Sequence, residues 1–251
     1  MGALHEGHIS LVTRARKECD VVVASVFVNP TQFNDKNDLK NYPRTPEADC
    51  AILEAAGADI VFMPTVEVIY PEPDTRQFDF GMVDKVMEGA TRPGHFNGVA
   101  QVVSRLFALV NPARAYFGEK DFQQIAVIKA MVEQLAIDIE IVECAIVRGE
   151  DGLALSSRNE LLTPEHRAAA PHIYATISQC AAKMESMSPE ELTNWVVSTI
   201  DENSLLKTIY FEAVDARTMQ RVEKWSDSER IQGCCAVQAG NIRLIDNIRI
   251  K

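Results

Sequence analysis

The sequence predicts an α/β protein in two parts: a doubly wound unit of parallel strands and crossover helices, then a smaller mixed part of helices and strands. Three observations carry this. Short apolar runs rich in β-branched residues alternate with helical stretches through roughly the first 150 residues, the rhythm of successive βαβ units. Beyond that point the order changes to two helical stretches followed by three strands. The length of 251 residues, with 47% hydrophobic, 24% charged, 12 Gly and 11 Pro, allows a sizeable core and excludes a disordered chain or a disulfide-stapled miniprotein.

Taken in order, residues 9–19 set Leu11, Val12, Ala15 and Cys19 on one stripe at helical spacing and predict the first helix. The run VVVASVFV, 21–28, has the length and composition of a strand buried on both faces. Residues 46–56 predict a second helix closed by Gly57, and 58–64 a second buried strand stopped by Pro64. The Pro-, Gly- and Asp-rich segment 64–98, including RPGHFNG at 92–98, reads as loop. A helix is expected over 99–110, a strand at ARAYF (113–117), a long helix ending near Leu135 and a strand over 139–147. Helices near 164–185 and 189–201 then precede strands near 209–215, 232–239 and 242–246, with the boundary between the parts around Val147 to Gly149.

Charge narrows the function. Lys and Arg total 25 against 36 Asp and Glu, a formal charge of -11 that repels nucleic acid and anionic lipid, so an anionic ligand requires a local cationic pocket. No apolar run approaches the ~18 to 20 residues that span a bilayer, and MGALHEGHIS has none of the features of an export signal. The six cysteines form no C-x-x-C pair and no disulfide ladder, which points to reduced thiols in a cytosol.

Four polar turns stand where a doubly wound sheet binds ligands. His5-Glu6-Gly7-His8 opens the first helix, whose unpaired N–H groups and positive dipole end suit a phosphate; the same residues also fit a surface capping box or an H-x-x-H metal pair without a third ligand. Asn29 and Gln32 follow the carboxyl end of the first strand, where carboxamides can orient a hydroxyl and a carboxylate, although Asn-Pro is also an ordinary turn. In FGEKDFQQ (117–124), Lys120 sits at a strand-to-helix junction with Gln124 one turn further on; solvated surface residues are the alternative. Ser156, Ser157 and Arg158 bring two hydroxyls and a guanidinium to the boundary, suited to a polyphosphate, in what otherwise reads as a Ser-rich linker.

In this order, and over essentially the whole chain, MGALHEGH, SVFVNPTQF, YPRTPEAD, EGATRPGHFNGV, FGEKDFQQ, DGLALSSRNELL and the terminal RLIDN resemble the pantothenate synthetase family. The resemblance implies a cytidylyltransferase-like fold with a HIGH-type signature: a Rossmann-type parallel sheet domain at 1–147, a smaller C-terminal α+β lid domain at 148–251, and a cytoplasmic homodimer built through the former. It implies ATP-dependent condensation of pantoate with β-alanine through a pantoyl adenylate, releasing AMP and pyrophosphate, with ATP and Mg²⁺ required, no nucleic acid or membrane partner, and no residue identified as a metal ligand. Carried over by motif, Met1, Gly2, Ala3, Leu4, His5, Glu6, Gly7 and His8 bind ATP, with His8 catalytic and His5 its partner on the phosphates. Gln32 and Gln124 hold pantoate, Gln32 also lying near β-alanine and Asn29 beside them. Gly118, Glu119, Lys120 and Asp121 contact ATP, the catalytic Lys120 at the phosphates and Asp121 at the ribose. Val147 meets the adenine region, while Leu155, Ser156, Ser157 and Arg158 close over the phosphates in place of a KMSKS-type loop. Family members carry a further stretch ahead of MGALHEGH, with the first strand of the sheet and a Pro-Thr pair. This chain opens at Met1, so a central strand is expected to be missing and the edges beside it open.

Overall fold

The computed structural model describes residues 2–33, 39–40 and 42–251. Helix α1 (Glu6–Glu18) starts three residues before the helical stripe, because His5 caps it: the His5 side chain accepts from the backbone of Gly7, and the His8 side chain accepts from His5 N. Strand β1 (Val23–Ser25) and strand β2 (Ile60–Phe62) pair in parallel, with helix α2 (Pro46–Ala55) between them in sequence. Two short helical turns, α3 (Val66–Ile69) and α4 (Met87–Thr91), interrupt the segment expected to be loop. Helix α5 (His95–Val110), strand β3 (Arg114–Gly118), helix α6 (Phe122–Gln134) and strand β4 (Glu140–Cys144) complete a second parallel pair, β3 with β4.

The parallel strands thus form two pairs. Among the described residues no strand is hydrogen-bonded between them. Helix α1 spans both: Val12 and Ala15 pack with Val22, Ala24 and Leu53, while Arg14 donates to the Glu143 carbonyl on β4 and Tyr116 on β3 donates to Glu18. The expectation of strands buried on both faces along 21–28 and 58–64 is corrected. Each regular strand is three residues long; Val21 falls before β1 and is 61% exposed, and Ile60 at the start of β2 is 51% exposed, because the packing of α1 and α2 covers Val22 and Ala24 and does not extend to them.

Helix α5 also begins earlier than expected, at His95 rather than 99. The polar residues that made RPGHFNG resemble a loop are matched by tertiary contacts: His95 Nδ1 lies 2.8 Å from the Gln32 carbonyl, and Asn97 Oδ1 accepts from Phe78 N. Gly98 lets this helix meet the residues just before Gln32 at close range, since a Cβ there would lie 2.6 Å from the Thr31 carbonyl oxygen.

The carboxyl-terminal domain is a three-stranded antiparallel sheet in the order β5 (Leu206–Asp215), β6 (Ile231–Ala239), β7 (Ile242–Arg249), with helices packed on one face. The helix expected over 164–185 is three: α7 (Pro164–Ala169), α8 (Pro171–Ile177) and α9 (Cys180–Lys183). Pro171 has no N–H to donate to the carbonyl four residues back, so the helix breaks there. Helix α10 (Pro189–Asp201) keeps its expected length behind a Ser188–Glu191 capping box and buries Leu192, Val196 and Ile200 against the sheet.

Candidate active site

The site is built from turns at the ends of these elements. Residues 2–5 bend at Ala3 before entering α1, and the carboxylate of Asp49 on α2, 1% exposed, holds them by accepting from Ala3 N (3.0 Å) and Leu4 N (2.8 Å), while Thr45 Oγ1 also donates to it (3.0 Å). Ala3 adopts φ 51, a conformation that costs a non-glycine residue about 1 kcal/mol and that the two bonds to Asp49 offset. Asp49, the last residue of YPRTPEAD, was not among the expected site residues; its tie to Ala3 bridges 46 positions, which no local pattern reveals.

The His5 and His8 rings lie in contact, centroids 4.1 Å apart and planes tilted by 42°. Each Nδ1 accepts a backbone N–H, from Gly7 to His5 (3.2 Å) and from His5 to His8 (3.3 Å), so in the neutral rings Nε2 carries the proton. Burial first, then the facing imidazole, pushes His8 down to about 3, and burial followed by the nearby Lys120 lowers His5. Both shifts favour the neutral ring, which offers its Nε2–H as a donor at the start of the helix. Gly7 lets the His5 ring fold back over the helix start, since a Cβ on it would lie 2.9 Å from the His5 Nδ1 and 3.9 Å from the Leu155 Cβ.

After β3, Gly118 leads into a 3₁₀ turn, Glu119–Asp121, that carries Lys120, and then into α6. Lys120 and Asp121 line an open cleft of about 950 Å³ together with Ser156 and Arg158, Leu153 of the interdomain hairpin, and β7. They also line a second, smaller cavity with Arg92, His95 and Gln124. Of the two glutamines, Gln123 is structural: its amide donates to the carbonyls of Val83 and Val86 and accepts from Glu88 N.

Asn29 sits behind Gln32. Buried to 3% exposure, it donates to the Gly98 carbonyl (3.1 Å) and to Gln32 Oε1 (3.2 Å), while its Oδ1 accepts from Tyr70 OH (2.8 Å) and Thr31 Oγ1 (3.1 Å). With Oε1 taken, Gln32 keeps its NH₂ as donor toward a ligand oxygen. His95 is a second support that the sequence reading missed. Its Nε2 lies 3.2 Å from Arg92 Nη1, a group that only donates, so Nδ1 bears the proton that the Gln32 carbonyl accepts. Burial, then Arg92, lowers its pKa to about 4.

Across the cleft the chain closes a hairpin between Val147, whose carbonyl accepts Leu155 N (3.0 Å), and Leu153, whose carbonyl accepts Gly149 N. Ser156 then caps the 3₁₀ turn Ser157–Leu161, accepting from Arg158 N. Ser157 is buried, with Oγ 3.2 Å from Tyr42 OH, and the Arg158 guanidinium lies over the Tyr42 ring at 5.5 Å. Of the expected residues, Lys120 and Asp121 line both cavities, Gln124 the smaller one, and Ser156 and Arg158 the larger. Gly118 and Glu119 lead into the Lys120 turn, Leu155 and Ser157 flank Ser156, and the Asn29–Gln32 turn joins the smaller cavity through His95. Gly2 to His8 line neither cavity; the Lys120 charge is felt at His5 and His8. Met1 lies outside the described residues.

Cations and oriented N–H groups collect where the parallel strands give way to their helices, the edge at which open α/β sheets hold nucleotides, and the class is therefore that of nucleotide-binding α/β enzymes. The comparisons with known proteins narrow it. The family model for pantoate-beta-alanine ligase matches residues 1–249. A pantothenate synthetase of Porphyromonas gingivalis is 59% identical over 249 residues, covering 99% of this chain and 89% of its own, and one of Bacteroides fragilis is 55% identical over 251, covering 100% and 89%. Among solved structures, pantothenate synthetase from Thermus thermophilus superposes with a TM-score of 0.95 at 44% identity, covering all of this chain and 91% of that one. A pantoate-beta-alanine ligase from Francisella tularensis, described as complexed with beta-gamma ATP and beta-alanine, reaches 0.82 at 38%, covering 100% and 87%. The chain belongs to the pantoate-beta-alanine ligase family.

Proposed function

We propose that this protein condenses pantoate with β-alanine at the expense of ATP, through a pantoyl adenylate, releasing AMP and pyrophosphate. The observation that carries the reading is the Lys120 turn, which borders both the large cleft and the smaller cavity beside Gln124, so that a triphosphate in one and an acid in the other meet at its cation. The pantoate carboxylate attacks the α-phosphorus, an acyl–phosphate bond forms, and the bond to the β-phosphate oxygen breaks. The amine of β-alanine then attacks the activated carbonyl, loses a proton and displaces AMP. His5 and His8 donate Nε2–H to phosphate oxygens, Lys120 and Arg158 neutralise the charge that grows on them, Ser156 and Ser157 close over them with Leu155, and Gly2 to His8 and Gly118 to Asp121 frame the nucleotide, with Val147 at the adenine side. Gln124 and Gln32 orient pantoate, with Asn29 and His95 fixing Gln32.

Mg²⁺ fits this cleft as a companion of the triphosphate, where it would neutralise the departing pyrophosphate. Of three carboxylates lining the cleft, Glu88 is engaged by Arg243 and Tyr210, Asp246 by Arg148, and Asp121 through one oxygen by Lys120 (3.6 Å); the half-exposed Asp121 is the one that could reach such an ion. The division into domains at 147/148, a cytoplasmic location and a homodimer complete the reading. Six free cysteines suit a reducing compartment, and no described helix is long and apolar enough to cross a membrane. A pairing surface on the amino-terminal domain is favoured by the exposed Ile60, Met63, Val66 and Val68.

Mass spectrometry of a reaction with ATP, Mg²⁺ and pantoate, run with and without β-alanine, tests the function. Pantothenate and AMP are expected only in the full mixture; ADP as the product would mean a kinase and overturn the reading. In the same assay Gln124→Ala is expected to weaken pantoate by about 1 to 3 kcal/mol, because a buried ligand group loses its partner, and to leave ATP nearly unaffected. Equal losses for the two ligands would remove Gln124 from the pantoate subsite.

A further inference from the structure

The terminal motif RLIDN lies on β7; two of its three polar residues, Arg243 and Asn247, grip the other side of the interdomain cleft, and Asp246 holds the start of the carboxyl-terminal domain. Arg243 pairs with Glu88 and donates to Thr91 Oγ1 (2.9 Å). Asp246 takes Arg148 in a two-pronged ion pair. Asn247 reaches the nucleotide side itself: its single NH₂ donates to the carbonyl of Glu119 (2.8 Å) and to that of Lys120 (3.0 Å), across 128 and 127 positions of sequence. The amide cannot turn over, because Gln232 on the neighbouring strand donates to Asn247 Oδ1 at 2.7 Å. Asn247 is 3% exposed and Gln232 6%, so water does not compete for these bonds. Both carbonyls belong to the 3₁₀ turn, too short to be held by its own ladder, from which the Lys120 side chain projects.

We propose that Asn247 is a positioning residue for Lys120: from the carboxyl-terminal domain it fixes the turn that aims this cation at the phosphates. The inference rests on the reading of Lys120 as a phosphate-binding charge. It explains why an amide, rather than any small polar residue, stands at this position of β7. Two carbonyls within reach of one nitrogen need two donors from one rigid group, and the acceptor of that group must face away, toward Gln232. A hydroxyl supplies one donor, and a carboxylate supplies none and meets two carbonyl oxygens.

The test is a double-mutant cycle on single-turnover formation of pantoyl adenylate, with Asn247→Ala and Asn247→Asp made alone and in a Lys120→Ala background, and thermal unfolding followed for each. Alone, each Asn247 substitution is expected to slow adenylation by about 10- to 100-fold, the scale of a charge misplaced by about 1 Å. In the Lys120→Ala background the same substitutions are expected to change the rate less than about threefold, since a misplaced turn has no cation left to misaim. Rate losses that multiply across the two positions would make Asn247 a purely structural residue and overturn the proposal. A Lys120→Ala enzyme with near-normal adenylation would instead remove the reading of Lys120 itself, a result distinct from the first. If Asn247→Ala does not fold, Asn247→Ser, which keeps one donor, is expected to fall between the parent and the slow variants; a Ser variant at the parent rate would equally overturn the proposal.

Discussion

His8→Ala is expected to slow pantoyl-adenylate formation about 10²- to 10³-fold while the protein stays folded, the usual cost of deleting one donor aimed at developing charge. The His8 ring has one nitrogen committed to the His5 backbone and the other, Nε2–H, without a protein partner among the described residues. That donor is what the substitution removes. The structural loss is confined to half of a helix cap, worth about 0.5 to 2 kcal/mol. Rapid-quench measurement of adenylate, with circular dichroism as the check on folding, decides; a variant that adenylates at nearly the parent rate would refute the role. A pH signature accompanies it. The unfolded chain protonates this histidine near its ordinary 6.5 and the folded one only near about 3, so burying it neutral is favourable above 6.5 and progressively less so as pH falls toward 3. The unfolding midpoint of His8→Ala is therefore expected to vary less steeply with pH across that interval.

The largest effect on stability is expected at Asp246. Its carboxylate takes both Arg148 nitrogens at 2.6 and 2.8 Å, the side chains are only 5% and 15% exposed, and the guanidinium also lies 3.7 Å from the centre of the Tyr174 ring. Asp246→Ala leaves this cation buried beside Tyr174 with no counter-charge, a loss of about 3 to 5 kcal/mol, set against the ~5 to 15 kcal/mol that separates a typical domain from its unfolded state. Thermal unfolding is expected to fall by about 10 °C. The companion variant Asp246→Leu with Arg148→Met removes the charge together with its partner and is expected to recover most of the loss, since an apolar pair of similar volume in place of a buried ion pair is often neutral. If the double variant is as unstable as the single one, an unpaired charge is not the cause.

What was legible in the chain follows from distance along it. The capping by His5 and His8 acts over three positions, and the strand, Gly turn and helix around Lys120 over about eight, so their residue types announce them. The same locality misled where tertiary contacts settle a segment's state. RPGHFNG holds the polar composition of a loop, yet its second half, from His95, becomes helix where His95 and Asn97 find partners 63 and 19 positions away, while residues 92–94 stay a turn. The Val-rich run at 21–28 carries the composition of a long buried strand, yet three residues take strand form where the pairing is one-sided.

The amino-acid sequence on its own settled the alternation of strands and helices, the residue types present at each polar turn and, through seven motifs in order, the family, because each of these is a matter of residue type and short spacing. Tertiary structure alone decided which groups hold those turns still: Asp49 beneath Ala3, His95 behind Gln32, and Asn247 against the turn of Lys120. A buried polar side chain acts through whichever backbone lies within about 3 Å of it, and only the packing of distant segments determines which backbone that is.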